Sequence, residues 1–199
     1  MHFGHLRPAL DVHSLLSLSE IRFIPCGQPP HRDTPVASAE QRLTMLKLAL
    51  EGQSDFVVDD REIQRGGASY MVDTLNSMVN EFGDEKFCLI LGKDAFVNLP
   101  SWKDWTRITE LVSMVITQRP QIETDSISNP VLAQYIDEKR LNDKKEFINS
   151  KETHCFFCPV TQLDISATSI REIVHAGHSI DFLVPEKVAD YIQIENLYR

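Results

Sequence analysis

Two histidines flank a glycine at the start of the chain, in His2-Phe3-Gly4-His5. If this segment opens a helix, the free N–H groups of the first turn favour an anion, and Gly4 permits a close backbone approach. The same residues also read as half of a metal site or as an ordinary helix start, and on residue types alone the ordinary start leads. Three further clusters suit an anionic ligand, each with a plain alternative. Pro29-Pro30-His31-Arg32 is a stiffened loop with two anion-binding side chains, or a solvated turn. Ile165-Ser166-Ala167-Thr168-Ser169-Ile170-Arg171 offers hydroxyls, helix-opening N–H groups and a guanidinium, a phosphate cradle or simply a capped helix. Gly92-Lys93-Asp94 ends an apolar run, where open α/β sheets bind ligands and where strands also merely turn. Ser69-Tyr70 and Leu99-Pro100-Ser101-Trp102 place aromatic rings near element ends, so Tyr70 or Trp102 stacks on a flat ligand or packs in a core.

The elements that must carry these clusters alternate between helical and extended patterns. Helical spacing runs over Leu6–Leu16, Ser38–Leu50, Tyr70–Phe82 and Trp102–Leu111, then from after Thr168 to about His175 and over Pro185–Glu195. Ser38, with Gln41 three residues on, reads as a capping box. Strands are expected at Glu20–Pro25, Phe56–Asp59, Lys86–Leu91, Val112–Thr117 and His154–Val160. Gln121–Asn129 reads as a loop, and Val131–Ile148 as a helix followed by a charged, ill-defined stretch from Asp137 to Glu146. The alternation predicts an α/β fold, a doubly wound and mostly parallel sheet, in a single domain over residues 1–199.

Composition narrows the function. The chain has 199 residues, 42% of them apolar, which is enough for one core. A net charge of −9 argues against a broad nucleic-acid-binding face, while a few local cations still hold a small anion. No apolar run approaches a membrane span and no signal-peptide layout opens the chain, so a cytoplasmic address is expected. Cys155 and Cys158 are spaced as C-x-x-C, but on a strand they point to opposite faces, so buried, reduced thiols are expected.

In order and spacing, these clusters resemble the nucleotidylyltransferase superfamily, most closely the bacterial nicotinate-nucleotide adenylyltransferases, over practically the whole chain. H-F-G-H matches the superfamily's H-x-G-H motif and I-S-A-T-S-I-R its late I-S-x-T-x-x-R motif; P-P-H-R, S-Y, G-K-D with L-P-S-W, and Arg119-Pro120 point to the nicotinate branch. The resemblance implies transfer of AMP from ATP to nicotinate mononucleotide, giving deamido-NAD and pyrophosphate, with Mg²⁺ travelling with ATP. It implies catalytic roles for His2, His5 and Arg171, with His5 nearest the α-phosphate. Gly4, His31, Arg32, Gly92, Asp94, Ser166 and Thr168 would bind ATP. Tyr70, Met71, Trp102, Lys103 and Arg119 would bind the nicotinate nucleotide, partly through backbone N–H groups near residues 70–71 and 102–103. Such a transfer needs alignment and charge stabilisation rather than a protein nucleophile. No dedicated metal site, nucleic-acid partner or membrane partner is implied, and oligomeric state is left open.

Two departures stand out. Met71 occupies a position usually held by Thr in the family. Family members also open with an apolar strand and a G-G-T-F-D-P-type loop, whereas Met1 here occupies the variable position just before H-x-G-H. The expectation is that Met1 is an internal methionine, and that residues 1–199 alone form an interrupted sheet with little activity. Three rivals follow. One is a sister pantetheine-phosphate adenylyltransferase or cytidylyltransferase, against which Tyr70 and Trp102 speak. Another is a degenerate nucleotide binder. The third is a metal protein built on His2, His5, His13 and His31, which lacks Cys or carboxylate at supporting spacing.

Overall fold

The computed structural model describes residues 1–30, 35–83, 85–118, 127 and 129–199; His31, Arg32 and Arg119 lie outside them. In chain order the elements are α1 (Phe3–Leu16), β1 (Ile21–Phe23), α2 (Ala39–Leu50), β2 (Phe56–Val58), α3 (Arg61–Arg65), α4 (Met71–Phe82), β3 (Cys88–Gly92), α5 (Lys93–Val97), α6 (Trp105–Leu111), β4 (Ser113–Gln118), α7 (Pro130–Lys139), β5 (Arg140–Leu141), α8 (Lys144–Asn149), β6 (Cys155–Pro159), α9 (Ala167–His175) and α10 (Glu186–Ile194). They fall into two compact units: Met1–Ser69 with Gln162–Arg199, and Tyr70–Thr161. The strands form two sheets, β1-β2 and β3-β4-β6-β5, and all pairings are parallel. An interrupted sheet was expected, and two sheets are found. Among the described residues, no helix is long and apolar enough to cross a membrane.

In the first unit, α2, α9 and α10 bury Met45, Ile170, Val188 and Ile192 in one cluster with Ala37, Ile180, Val184 and Leu197. The capping box forms as expected: the Ser38 hydroxyl accepts from Gln41 N–H at 3.1 Å and the Gln41 side chain accepts from Ser38 N–H at 2.9 Å. In the second unit, β4 is central and buried along nearly its whole length. Its residues Met114 and Ile116 join Leu91, Phe96, Leu99, Leu132, Cys155 and Phe157 in the core.

Two expectations on helices need correction. The helix expected from Trp102 begins at Trp105. Pro100 sets a short 3-10 turn at Leu99–Ser101, Trp102 is extended (φ −78°, ψ 146°), and Asp104 takes a left-handed φ of 50°, which interrupts helical propagation. The ill-defined stretch Asp137–Glu146 is regular instead. It holds the end of α7, then β5, whose Arg140 and Leu141 pair with Cys155 and Phe156 of β6, then the start of α8, capped by the Asp143 carboxylate on Glu146 N–H at 2.9 Å.

All four thiols are free, with Cys155 and Cys158 fully buried on β6. Burial raises the pKa of Cys26, pushes Cys88 to about 11 and pushes Cys155 to about 12.

Candidate active site

α1 begins at Phe3, so His2 is its N-cap in an extended conformation (φ −145°, ψ 166°). The His2 carbonyl accepts from the N–H of His5 at 2.9 Å and of Leu6 at 3.3 Å. This turn brings the two imidazoles into a stack, with ring centres 3.8 Å apart and planes inclined by 26°. His2 is only 4% exposed, and its Nδ1 has no hydrogen-bond partner among the described residues. Burial, helped by His5 and the N-terminal amine, lowers the His2 pKa to about 3. His5 shows an exposed outer edge, yet its crowded inner side and the same amine lower its pKa too. Both rings are therefore neutral near pH 7 and offer polar nitrogens without a standing charge.

Gly4 explains why a glycine separates them. A Cβ at this position would lie 2.9 Å from His2 Nδ1 and 3.0 Å from the carbonyl oxygen of Ile165, closer than side-chain carbons pack. That contact seats the start of α1 against the I-S-A-T segment, about 160 residues away in the chain. There Ser166 caps α9, its hydroxyl accepting from Ser169 N–H at 3.0 Å. Arg171 Nη2 donates to Thr168 Oγ1 at 3.0 Å. The capping role thus belongs to Ser166, and its exposed hydroxyl keeps a proton to donate. His2 and Arg171 line a cleft of about 40 Å³ whose other walls include Met45, Val184 and Tyr198. That volume holds a few waters; Ser166 and Thr168, which flank the lining residue Ala167, are exposed, as is His5. Tyr198 escaped the sequence reading, because no local spacing signals that a C-terminal residue reaches this cleft. Its φ is 68°, and burial raises its pKa against the pull of the Arg171 and Arg42 guanidinium groups.

The turn after β1, which leads into the P-P-H-R segment, is built by distant side chains. Ser69 Oγ accepts from Gly27 N–H at 2.9 Å and Gln28 N–H at 3.3 Å, and Ser69 N–H donates to the Gln28 carbonyl at 2.9 Å. The Arg42 guanidinium donates to the carbonyls of Cys26 and Gly27. A Cβ on Gly27 would sit 2.7 Å from the Glu62 carbonyl oxygen, so this position also demands glycine.

In the second unit, β3 delivers Gly92 to its carboxyl end, and a Cβ there would meet nothing within 4 Å. The Asp94 carbonyl accepts from Asn98 Nδ2 at 2.8 Å while its side chain faces outward. Tyr70 is the N-cap of α4 and Met71 its first residue; neither needs a side-chain hydroxyl to open the helix, and Met71 N–H has no intrahelical acceptor. Lys103 Nζ stands 4.5 Å from the centre of the Tyr70 ring and 3.4 Å from Asp73 Oδ2. Trp102 packs against the core of the unit, and its N–H donates to the Leu99 carbonyl at 2.9 Å. Of the pair 102–103, Trp102 is half-buried and Lys103 exposed.

The cytidylyltransferase-like family model matches residues 1–173. A probable nicotinate-nucleotide adenylyltransferase of Methylococcus capsulatus is 44% identical over 199 residues, spanning 100% of this chain and 94% of its own length. A second, from Pseudomonas syringae pv. tomato, is 40% identical, spanning 100% of this chain and 89% of its own. The fold is also that of nicotinic acid mononucleotide adenylyltransferase of Plasmodium falciparum complexed with NaAD, with a TM-score of 0.73 at 18% identity, covering 100% of this chain and 91% of that one. With H-x-G-H seated on I-S-x-T-x-x-R and a family match over most of its length, the chain belongs to the cytidylyltransferase-like family and, within it, to the nicotinate-nucleotide adenylyltransferases.

Proposed function

We propose that this chain transfers AMP from ATP to nicotinate mononucleotide, releasing pyrophosphate and forming deamido-NAD, by aligning the phosphates rather than by a covalent enzyme intermediate. The observation that carries this reading is the junction of His2, Gly4 and His5 with the Ile165–Arg171 segment, held by the Gly4–Ile165 contact. The mononucleotide's 5′-phosphate oxygen forms a bond to the α-phosphorus of ATP as the bond to the β,γ-pyrophosphate breaks. His5 stabilises the charge that develops on the α-phosphate, with His2 beside it. Arg171, Ser166 and Thr168 hold the β- and γ-phosphates. His31, Arg32 and Arg119 keep the roles that their motifs imply. Gly92 and Asp94 take the adenosine, and Tyr70, Met71, Trp102 and Lys103 the pyridine nucleotide.

Mg²⁺ enters as part of the ATP substrate. The side chains at the phosphate end are imidazoles, hydroxyls and a guanidinium, donors for phosphate oxygens rather than ligands for a hard cation, which suits a metal carried by the triphosphate itself. On this reading residues 1–199 serve as one nucleotidylyltransferase domain in the cytoplasm, where free thiols persist.

The test is pyrophosphate release from ATP with nicotinate mononucleotide, run beside pantetheine phosphate and with CTP in place of ATP, on this chain and on one extended upstream. Release confined to ATP with a pyridine mononucleotide supports the reading in either chain. Release with pantetheine phosphate or CTP instead, or in no case, rejects it.

A further inference from the structure

Beyond α10 the backbone turns twice through the left-handed region, at Asn196 (φ 52°) and again at Tyr198 (φ 68°). Asparagine takes that conformation readily, whereas a bulky aromatic residue holds it only where its surroundings fix it. Leu197 supplies the fixing: it is buried with Ile170 and Ile192, and its N–H donates to the Ile192 carbonyl at 3.0 Å. Arg199 Nη1 closes the segment by donating to Asn196 Oδ1 at 2.8 Å. The Tyr198 ring is thereby packed on the same apolar cluster and forms a wall of the cleft that His2 and Arg171 also line. Its phenol lies near enough to the Arg171 and Arg42 guanidinium groups for both to draw its pKa down against burial. Arg42 in turn holds the carbonyls of Cys26 and Gly27, in the turn that leads to the P-P-H-R segment.

We propose that Tyr198 is a positioning residue for the phosphate end of the site, its ring walling in the Arg171 guanidinium so that Arg171 is set for the β- and γ-phosphates before ATP arrives. The inference rests on the AMP-transfer reading above. Arg171 is half-buried, and its Nη2 donates to the exposed Thr168 hydroxyl at 3.0 Å. One such bond leaves a long side chain free to swing about it, and a flat ring on the cleft side removes much of that freedom. Ordering the guanidinium in advance lifts a cost that ATP would otherwise meet on binding. With its pKa raised by burial, the phenol is uncharged near pH 7. It therefore orders Arg171 without neutralising it, as a carboxylate in the same place would.

The experiment measures calorimetric binding of ATP and of AMP, each with Mg²⁺, to the chain that releases pyrophosphate in the test above. AMP lacks the β- and γ-phosphates, so the ratio of the two affinities reads Arg171 and is indifferent to a general loss of packing. Tyr198→Ala is expected to lower the ATP-to-AMP affinity ratio by roughly fivefold to tenfold, the size of loosening one charge-assisted contact. Tyr198→Phe should retain the wild-type ratio, because the ring does the positioning. If the alanine variant does not fold, Tyr198→Leu, which keeps apolar packing without a flat wall, decides in its place. Arg171→Ala should lower the ratio by itself, and adding Tyr198→Ala to it should lower it no further. An unchanged ratio in the alanine or leucine variant, or as large a loss in the phenylalanine variant, overturns this inference and leaves AMP transfer standing. Additive losses in the double variant, or no preference for ATP in the wild type, do the same. Pyrophosphate release from neither chain removes the underlying reading and this one with it.

Discussion

His2 and His5 share one stacked pair in different surroundings: one ring is buried and the other keeps an open edge. Loss of the open one should show in rate: His5→Ala is expected to lower kcat by roughly 10²–10³-fold, the scale for one preorganised transition-state donor. A rate near wild type would remove His5 from the reaction. Loss of the buried one should show in the pH dependence of stability. The folded chain holds His2 at a pKa of about 3 against an ordinary 6.5, so between those values the unfolded chain binds a proton that the folded chain refuses. Stability is then complete above about 6.5 and drains away as pH falls toward 3. His2→Asn should flatten that part of the curve, measured by urea unfolding across the range, and an unaltered slope would show that His2 is not the group responsible. These residues were visible as a motif, but their stacking and the tight seat of Gly4 were not. A local string carries no information about the Ile165 carbonyl that closes on it.

At the scale of elements, legibility followed the range of the interaction. Ser38 with Gln41, and Ser166 with Ser169, cap their helices through partners three residues away; the start of α2 could be read directly, while α9 begins at Ala167, ahead of the helix expected after Thr168. β5 could not: it is two residues long and is defined by pairing with β6 across the sheet. The turn at Cys26–Gln28 is the clearest case of the second kind, since the hydroxyl that receives two of its N–H groups comes from Ser69, 42 and 41 residues away. Ser69→Ala should leave both donors without that acceptor and cost about 1–3 kcal/mol. It should also speed hydrogen exchange at Gly27 and Gln28, while Ser69→Thr restores protection. Exchange at wild-type rates in the alanine variant would mean that other groups hold the turn.

The whole molecule distributes its buried surface between two units, each with a parallel sheet and its own apolar cluster. The α/β class was readable because strand and helix periodicities alternate, and because parallel strands bury long apolar runs such as β4. Where the sheet breaks depends on pairing partners, which no single segment encodes. The cysteines span both units, and Cys26, Cys88 and Cys155 all have their thiols pushed away from ionisation. Since the thiolate is the species that attacks disulfides and alkylating agents, the native chain should react with an aromatic disulfide reagent far more slowly than the unfolded chain. Rapid stoichiometric reaction of the folded protein would contradict this. If the thiols are as quiet as their surroundings require, the protein is its own blank for labelling chemistry. A single cysteine introduced at an exposed site such as Leu163 would then take a spectroscopic probe selectively, with every native sulfur left in place.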